Sequence, residues 1–255
     1  MAPSILLHDH DGVFTVTMSN PERKNALTKQ MFVDLAAAFR DAHGARALVL
    51  RGDGENFCTG ADLTDPAGIS SSAPVEYMRT VSQAAYELHA LKIPTLAAVD
   101  GLAVGAGLAL ALGCDLVMAS DRARFSMIFA QRALSLDLGA SWFLTRRVGM
   151  TKAKELSLLA EILDSTSAKE AGLVNWVVEA ARFNEEVDTL ASRLGSGPTL
   201  AYSRINALLD SSPEVSLLEA LEAESLAQVA SFRSADTVEA MSAFMEKRPA
   251  TFLGH

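Results

Sequence analysis

The spacing of apolar residues changes several times along the chain, and each change predicts an element. Two β-type runs open it, Ile5 to His8 and Val13 to Met18, and the turn-forming stretch Asp9 to Gly12 between them predicts a hairpin. After the polar connection SNPERKNAL, the residues Leu27, Met31, Leu35, Ala38 and Ala42 fall three or four apart, one face of a helix with Thr28 placed as its N-cap. A short apolar strand, Ala47 to Leu50, runs into the loop RGDGENFCTGADL, and a strand followed by a glycine-rich loop is where ligand sites collect. Residues 64–76, rich in Ser, Pro and Gly, read as a mobile segment. They precede a helix with Met78, Val81, Ala85 and Leu88 on one face, closed by Pro94. Thr95 to Val99 then reads as a strand, Gly101 to Gly107 as a turn, Leu108 to Leu112 as a buried helix and Leu116 to Ala119 as another strand. This alternation predicts α/β organisation. From about residue 182 onward only helices are expected, one with Leu217, Leu218, Leu221, Ser225 and Val229 along a face.

Composition narrows the function classes. The 255 residues are 49% hydrophobic and 21% charged, enough to bury a substantial core. Apolar runs such as TLAAV and LALAL are interrupted well before the roughly 18 residues that a membrane span needs. The first thirty residues carry no basic-then-apolar signal pattern, so a cytoplasmic location without membrane insertion is expected. Cys58 and Cys114 are the two cysteines, far apart and without CxxC spacing, which suggests neither a disulfide framework nor a metal site. The formal charge is -9 and the 22 Lys and Arg are scattered, so nucleic acid is not an expected partner. A phosphate-bearing ligand would have to be held by a few locally placed cations and backbone N–H groups.

Familiar motifs fail one by one. GAG at residues 105–107 begins a dinucleotide fingerprint, but its third glycine position is Leu110. There is no GxSxG elbow, Walker loop or HExxH. What remains is a pair of segments, FCTGADL at 57–63 and AAVDGLAVGAGLALALGCDLVMAS at 97–120, each placing small residues where a strand passes into a helix. Backbone N–H groups at such a transition are free to face an anion, although either segment alone reads more readily as a tight structural turn.

Taken together, these segments resemble the oxyanion-hole regions of the enoyl-CoA hydratase/isomerase, or crotonase, family. The resemblance continues through NPERKNAL near the start, SAKEAGLVNWVV at 167–178 and FMEKRPATF at 244–252, in the family's order. It implies an α/β fold: a crotonase-like ββα superhelix core over residues 1–195, which binds acyl-CoA, and a C-terminal α-helical trimerisation region over 196–255. The implied partners are an acyl-CoA or enoyl-CoA substrate and further copies of the chain in a homotrimer or a hexamer made of two trimers. No cofactor is implied beyond the coenzyme A moiety of the substrate, and no metal.

Carried over residue by residue, the resemblance makes the N–H groups of Ala61 and Ala106 the oxyanion hole. Two preorganised donors stabilise the charge that builds on a thioester oxygen more than they stabilise the neutral ground state. It assigns CoA contacts to Arg23, Lys24, Ala61, Asp62 and Leu63, with Phe244 and Lys247 supplied by a neighbouring subunit, and an acyl pocket to Phe129, Leu134 and Trp142. Hydratases of the family use two glutamates, and the corresponding positions here are Ala109 and Phe129, neither of which transfers a proton. Asp137, in ALSLDLGASWFL, is the remaining carboxylate, at a position where family isomerases carry Asp. Apolar neighbours such as Leu136, Leu138 and Trp142 would raise its pKa, whereas a helix N-terminus would lower it. It reads either as the base or as a helix N-cap. His89, Asp115 and Cys58 read as structural residues. Three activities stay open at this point: isomerisation of a double bond with Asp137 as base, hydration or another crotonase-type lyase or hydrolase reaction, and acyl-CoA binding without turnover.

Overall fold

In this computed structural model, residues 2–42, 44–68 and 72–255 are described. The opening strands β1 (Ser4–His10) and β2 (Val13–Ser19) pair antiparallel, with His10 opposite Val13. The turn between them needs only Asp11 and Gly12, both at positive φ, the geometry that a two-residue hairpin requires. Helix α1 (Lys29–Asp41) starts where the pattern predicts, because the Thr28 hydroxyl accepts the N–H of Met31. It buries Met31, Phe32, Leu35 and Phe39 on the sheet side.

The chain then lays down β3 (Ala47–Gly52), α2 (Pro74–His89), β4 (Thr95–Val99), the short β5 (Leu102–Val104), α3 (Ala106–Gly113), β6 (Leu116–Ser120) and β7 (Arg124–Ser126). It continues through α4 (Ala140–Leu159), β8 (Leu163–Asp164), α5 (Ser165–Glu170), β9 (Trp176–Val178) and α6 (Phe183–Gly195). The helices α7 (Thr199–Ser211), α8 (Leu217–Ser231) and α9 (Ala235–Glu246) complete it. One sheet has the order β1-β2-β3-β4-β6-β9, parallel from β2 onward, and a smaller one has the order β5-β7-β8. β3 and β4 are buried on both faces, which is why the ALVL and TLAAV runs do not alternate. Helix α6 packs on the face of the larger sheet opposite α1, so Phe183 and Val187 form a second core with Val49, Leu96 and Met118.

Three sequence expectations need correction. Helix α2 buries Tyr77, Val81, Ala84 and Leu88, and Met78 lies on its exposed side, because the residues that meet α1 follow the 77, 81, 84, 88 spacing. This helix begins at Pro74, inside the stretch expected to be mobile, and residues 64–68 of that stretch lie in hydrogen-bonded turns; the part of that expectation at 69–71 lies outside the described residues. The turn expected over Gly101 to Gly107 holds β5, and α3 starts at Ala106, two residues before the predicted Leu108. Among the described residues no helix is long and apolar enough to cross a membrane.

Candidate active site

Two parallel bridges build the centre of the site. Cys58 bridges Ala103: its N–H donates to the Leu102 carbonyl at 2.9 Å, and its carbonyl accepts from Val104 N–H at 2.9 Å. Ala61 bridges Leu27, with the Gly60 carbonyl accepting from Leu27 N–H and Asp62 N–H donating to the Leu27 carbonyl, both at 2.8 Å. In a parallel bridge the two residues flanking Ala61 make the bonds to Leu27, so the N–H of Ala61 itself points away, to the opposite side. That side is occupied by the start of α3. A Cβ placed on Gly60 would lie 3.1 Å from the Val104 carbonyl and 3.4 Å from the Ala106 nitrogen.

Ala106 is the first residue of α3, where a helix has no internal acceptor for its N–H. Gly105 before it sits at φ 56 and ψ -121, a conformation that essentially only glycine adopts. Gly107 is also required for space, since a Cβ there would fall 2.2 Å from the Cys58 carbonyl oxygen. The glycines therefore press the FCTGADL loop against the helix start and bring two N–H donors, Ala61 and Ala106, to adjoining backbone. Neither donor has an acceptor among the described residues. Cys58 is buried between the two segments, its sulfur accepting from Gly60 N–H at 3.4 Å, and burial pushes its thiol pKa up to about 12. It is inert as a nucleophile near neutral pH.

Ala109, one turn into α3, is fully buried and apolar. Phe129 follows β7 in a 3₁₀ turn, Ile128–Arg132, and its ring lies 4.0 Å from where a Cβ on Gly105 would be. The chain folds back from there, Leu134 N–H donating to the Phe129 carbonyl at 3.0 Å, and reaches Asp137. Leu134 is partly exposed.

Asp137 does not cap α4. The N-cap is Gly139, no side chain caps that helix end, and Asp137 contributes only its backbone carbonyl, which accepts from Ala140 N–H at 2.9 Å. The cap reading of this residue is therefore overturned: Leu138 (φ 52) and Gly139 (φ 76) form a tight left-handed turn that carries the side chain away from the helix terminus. One carboxylate oxygen, Oδ1, is buried with no hydrogen-bond partner among the described residues. Burial is the cause that pushes the Asp137 pKa up from 3.8 to about 6. The hydroxyl of Tyr77, on the buried face of α2, feels that carboxylate and the Asp65 carboxylate as well as its own burial, and its pKa rises to about 12. Nothing in the sequence pattern around Tyr77 points to Asp137; their proximity is a product of the fold.

The remaining candidate residues fall into three places. Arg23 and Lys24 are exposed at a 3₁₀ turn, Pro21–Arg23, and their carbonyls accept from the Thr59 hydroxyl at 3.1 and 3.3 Å, so this loop is fastened directly to FCTGADL. Asp62 closes the same loop by accepting from the N–H and hydroxyl of Thr64, and Leu63 beside it is exposed. Trp142 lies at the other end of α3, near Gly113 and Cys114, against the rings of His89 and Phe143 and under the Arg146 guanidinium, 3.7 Å away. Phe244 and Lys247 are at the end of α9, both exposed in the single chain. Asp115 accepts from the N–H and hydroxyl of Thr95 at 2.7 and 2.9 Å, a purely structural arrangement. No group of three or more His, Cys, Asp or Glu is placed to hold a metal among the described residues.

The profile of the enoyl-CoA hydratase/isomerase family matches residues 8–255, and the chain belongs to that family, also called the crotonase family. It is an enzyme of the enoyl-CoA hydratase/isomerase type, with the crotonase fold of two sheets and C-terminal helices. Over the full length of both chains it is 34% identical to the 1,2-epoxyphenylacetyl-CoA isomerase of Escherichia coli strain K12. Among solved structures, an enoyl-CoA hydratase from Polaromonas sp. JS666 matches with a TM-score of 0.92 and 29% identity, over 98% of this chain and 99% of that one. A protein from Thermobifida fusca YX determined in complex with CoA matches with a TM-score of 0.84 and 30% identity, over 89% of this chain and 92% of that one.

Proposed function

We propose that this enzyme moves a carbon–carbon double bond in an enoyl-CoA thioester, with Asp137 as its single acid and base. The observation that carries the reading is the Asp137 carboxylate: half-buried, one oxygen without a partner, its pKa near 6 and its side chain released from any capping role. At neutral pH such a group is ionised yet basic enough to remove a carbon-bound proton. The thioester oxygen of a β,γ-enoyl-CoA would lie between the N–H groups of Ala61 and Ala106. Asp137 takes the proton from the α carbon, the electron pair delocalises onto that oxygen as a dienolate, and the two donors hold the negative charge. Protonated Asp137 then returns the proton to the γ carbon, which leaves the double bond conjugated with the thioester. Each donor contributes roughly 3 kcal/mol to the charged intermediate.

Two-carboxylate hydration is disfavoured on this reading because Ala109 and Phe129 occupy the positions where the family's hydratases carry glutamate, so the pair of carboxylates that would activate water and deliver a proton is missing there. The name of the E. coli relative, an isomerase of an epoxide-bearing CoA thioester, supports isomerisation of a CoA thioester as the reaction class. Arg23, Lys24, Asp62 and Leu63 stand on the loops that flank Ala61 and are suited to receive the CoA end of the substrate, and the CoA-bound relative supports that ligand class. Leu134 and Phe129 are suited to the acyl end.

Assembly is part of the proposal. An apolar groove of about 920 Å³ runs between α7, α8 and α9, lined among others by Ile205, Leu208, Val229 and Phe232, and it fits the corresponding helices of further copies in a trimer or a pair of trimers. Such packing would deliver Phe244 and Lys247 to a neighbour's CoA site. The test is chemical: with a β,γ-enoyl-CoA in deuterated water, the wild type is expected to incorporate deuterium and yield the α,β isomer, while hydration of the α,β isomer stays slow. Asp137→Asn should lower exchange about 100-fold or more with CoA binding intact. Full exchange by Asp137→Asn removes the isomerase reading, and tight binding without any exchange by the wild type favours a binding protein.

A further inference from the structure

Helix α3 carries one of the two oxyanion donors, yet its own sequence, AGLALALG, has no side chain able to fix its position by a polar bond. Every residue from Ala106 to Leu112 is buried, and neither end has a side-chain cap from within the helix. The carbonyls at its C-terminal end must find donors elsewhere or remain unsatisfied in a buried place. The Ala111 carbonyl accepts from Cys114 N–H, and the Leu112 carbonyl, with those of the two residues that follow the helix end, meets a single guanidinium. Arg147 donates from Nε and Nη2 to the Leu112 carbonyl at 3.2 and 3.1 Å, and Nη2 also donates to the carbonyls of Cys114 and Asp115. A planar fork with five donors suits this task, and a cation at a helix C-terminus also complements the helix dipole.

Arg147 belongs to α4, the helix that begins just after Asp137. A kink at Gly149 (φ 74, ψ 164) separates the stretch from Ala140 to Val148 from the rest of α4. Among the described residues, the hydrogen bonds of that stretch to α3 and the residues that end it come from Arg147 alone; the other close approach is apolar, Phe143 against Gly113. A slide of one turn between the two helices would move Asp137 by about 5 Å relative to Ala106.

We infer that Arg147 is a positioning residue, which locks the helix carrying the oxyanion donor Ala106 to the helix that follows Asp137 and so fixes base and oxyanion hole at one separation. This inference rests on the isomerase reading of Asp137. Arg147 touches no reacting atom and acts through the spacing of the two groups that do. Displacements on the order of 1 Å at a reacting centre cost about 100-fold in rate with little change in binding.

The experiment measures kcat, KM and deuterium exchange with a β,γ-enoyl-CoA for Arg147→Met, Arg147→Lys, Asp137→Asn and the Arg147→Met/Asp137→Asn double variant, with thermal melting and gel filtration on each. Arg147→Met is expected to lower kcat about 10- to 100-fold with KM nearly unchanged. Arg147→Lys should recover part of that loss, since an ammonium reaches one carbonyl but not three. In the Asp137→Asn background, Arg147→Met should have little further effect on exchange. A folded Arg147→Met enzyme with wild-type kcat, a loss confined to KM, or a penalty that multiplies fully with that of Asp137→Asn would overturn the inference while leaving Asp137 as base. Should Arg147→Met not fold, Arg147→Lys decides by the same split between kcat and KM. Full exchange by Asp137→Asn would remove both readings together.

Discussion

Helices α3 and α8 are both rich in leucine and alanine and have opposite fates. In α3 every side chain is buried by the sheet and by α4, and the apolar residues surround the whole helix because the core surrounds it. In α8 no residue is buried; Leu217 and Leu218 are each 76% exposed, and Leu221, Leu226 and Val229 stand open beside them. A helix apolar all round belongs inside something. For α3 that surrounding is the chain's own core; α8 intersperses Glu219, Glu222 and Glu224 among its leucines, and in a single chain those leucines form an apolar surface open to another molecule. The difference separates the part of the protein whose stability is internal from the part whose exposed leucines call for assembly.

Substitutions at Gly107 test the first half of that comparison and should have the largest effect. A Cβ there collides with the Cys58 carbonyl, so Gly107→Val must push apart the two segments that hold Ala61 and Ala106. Turnover is expected to fall about 100-fold or more, through loss of oxyanion stabilisation, with destabilisation of about 1–3 kcal/mol. Wild-type kcat in a folded Gly107→Val enzyme would show that the contact of the two segments is not required.

Replacing Leu217 and Leu218 together by Glu tests the other half. Sedimentation velocity should show the proposed trimer or hexamer converted to monomer, with far-UV circular dichroism little changed because neither side chain is buried in its own chain. An unchanged oligomer would mean that α8 is not the surface that assembles, and a loss of helix content would mean that it is needed within the chain.

Asp137 supplies a smaller effect with a defined sign. Its folded pKa, about 6, lies above the ordinary aspartate value of 3.8, so the native state holds this proton more tightly than the unfolded chain does. The stabilisation from this group is present below pH 4 and is lost as pH rises through about 6. The full rise corresponds to about 3 kcal/mol, and partial solvent contact reduces it to about 1–2 kcal/mol. Asp137→Asn should therefore melt at the same temperature as the wild type near pH 4 and a few degrees higher at pH 8, even as it loses turnover. In the wild type, kcat/KM should decline as pH falls below about 6, where the base is protonated. Equal melting temperatures at pH 8 would contradict the buried, unpartnered carboxylate. The smallest effect is expected at Thr28→Ala, about 1 kcal/mol from loss of the α1 cap, without change in kcat.

Much of this molecule is legible in its sequence. The hairpin, the Thr28 cap, the strand Thr95–Val99 and the helices after residue 182 follow from periodicity and punctuation, because short-range sterics and amphipathic spacing act within a few residues. The two glycine-bearing segments stand out for the same local reason, and their resemblance to the crotonase family extends from residue 8 to the C-terminus. The absence of carboxylates at positions 109 and 129 is likewise a property of the sequence alone.

The tertiary structure decided what depends on several segments at once. Which side of α2 is buried was set by α1 and not by the helix's own apolar spacing, which admitted Met78 as readily as Tyr77. Whether Asp137 caps a helix or stands free turned on Leu138 and Gly139 both adopting positive φ, a choice that no residue-by-residue propensity favours for leucine. The clamp of Arg147 on the end of α3 joins residues more than thirty positions apart, and it exists because buried carbonyls must be paired wherever the fold leaves them. Local chemistry thus named the elements and the glycines, whereas the burial of polar groups, a property of the whole packed chain, determined how the Asp137 carboxylate, the N–H groups of Ala61 and Ala106 and their supports are held relative to one another.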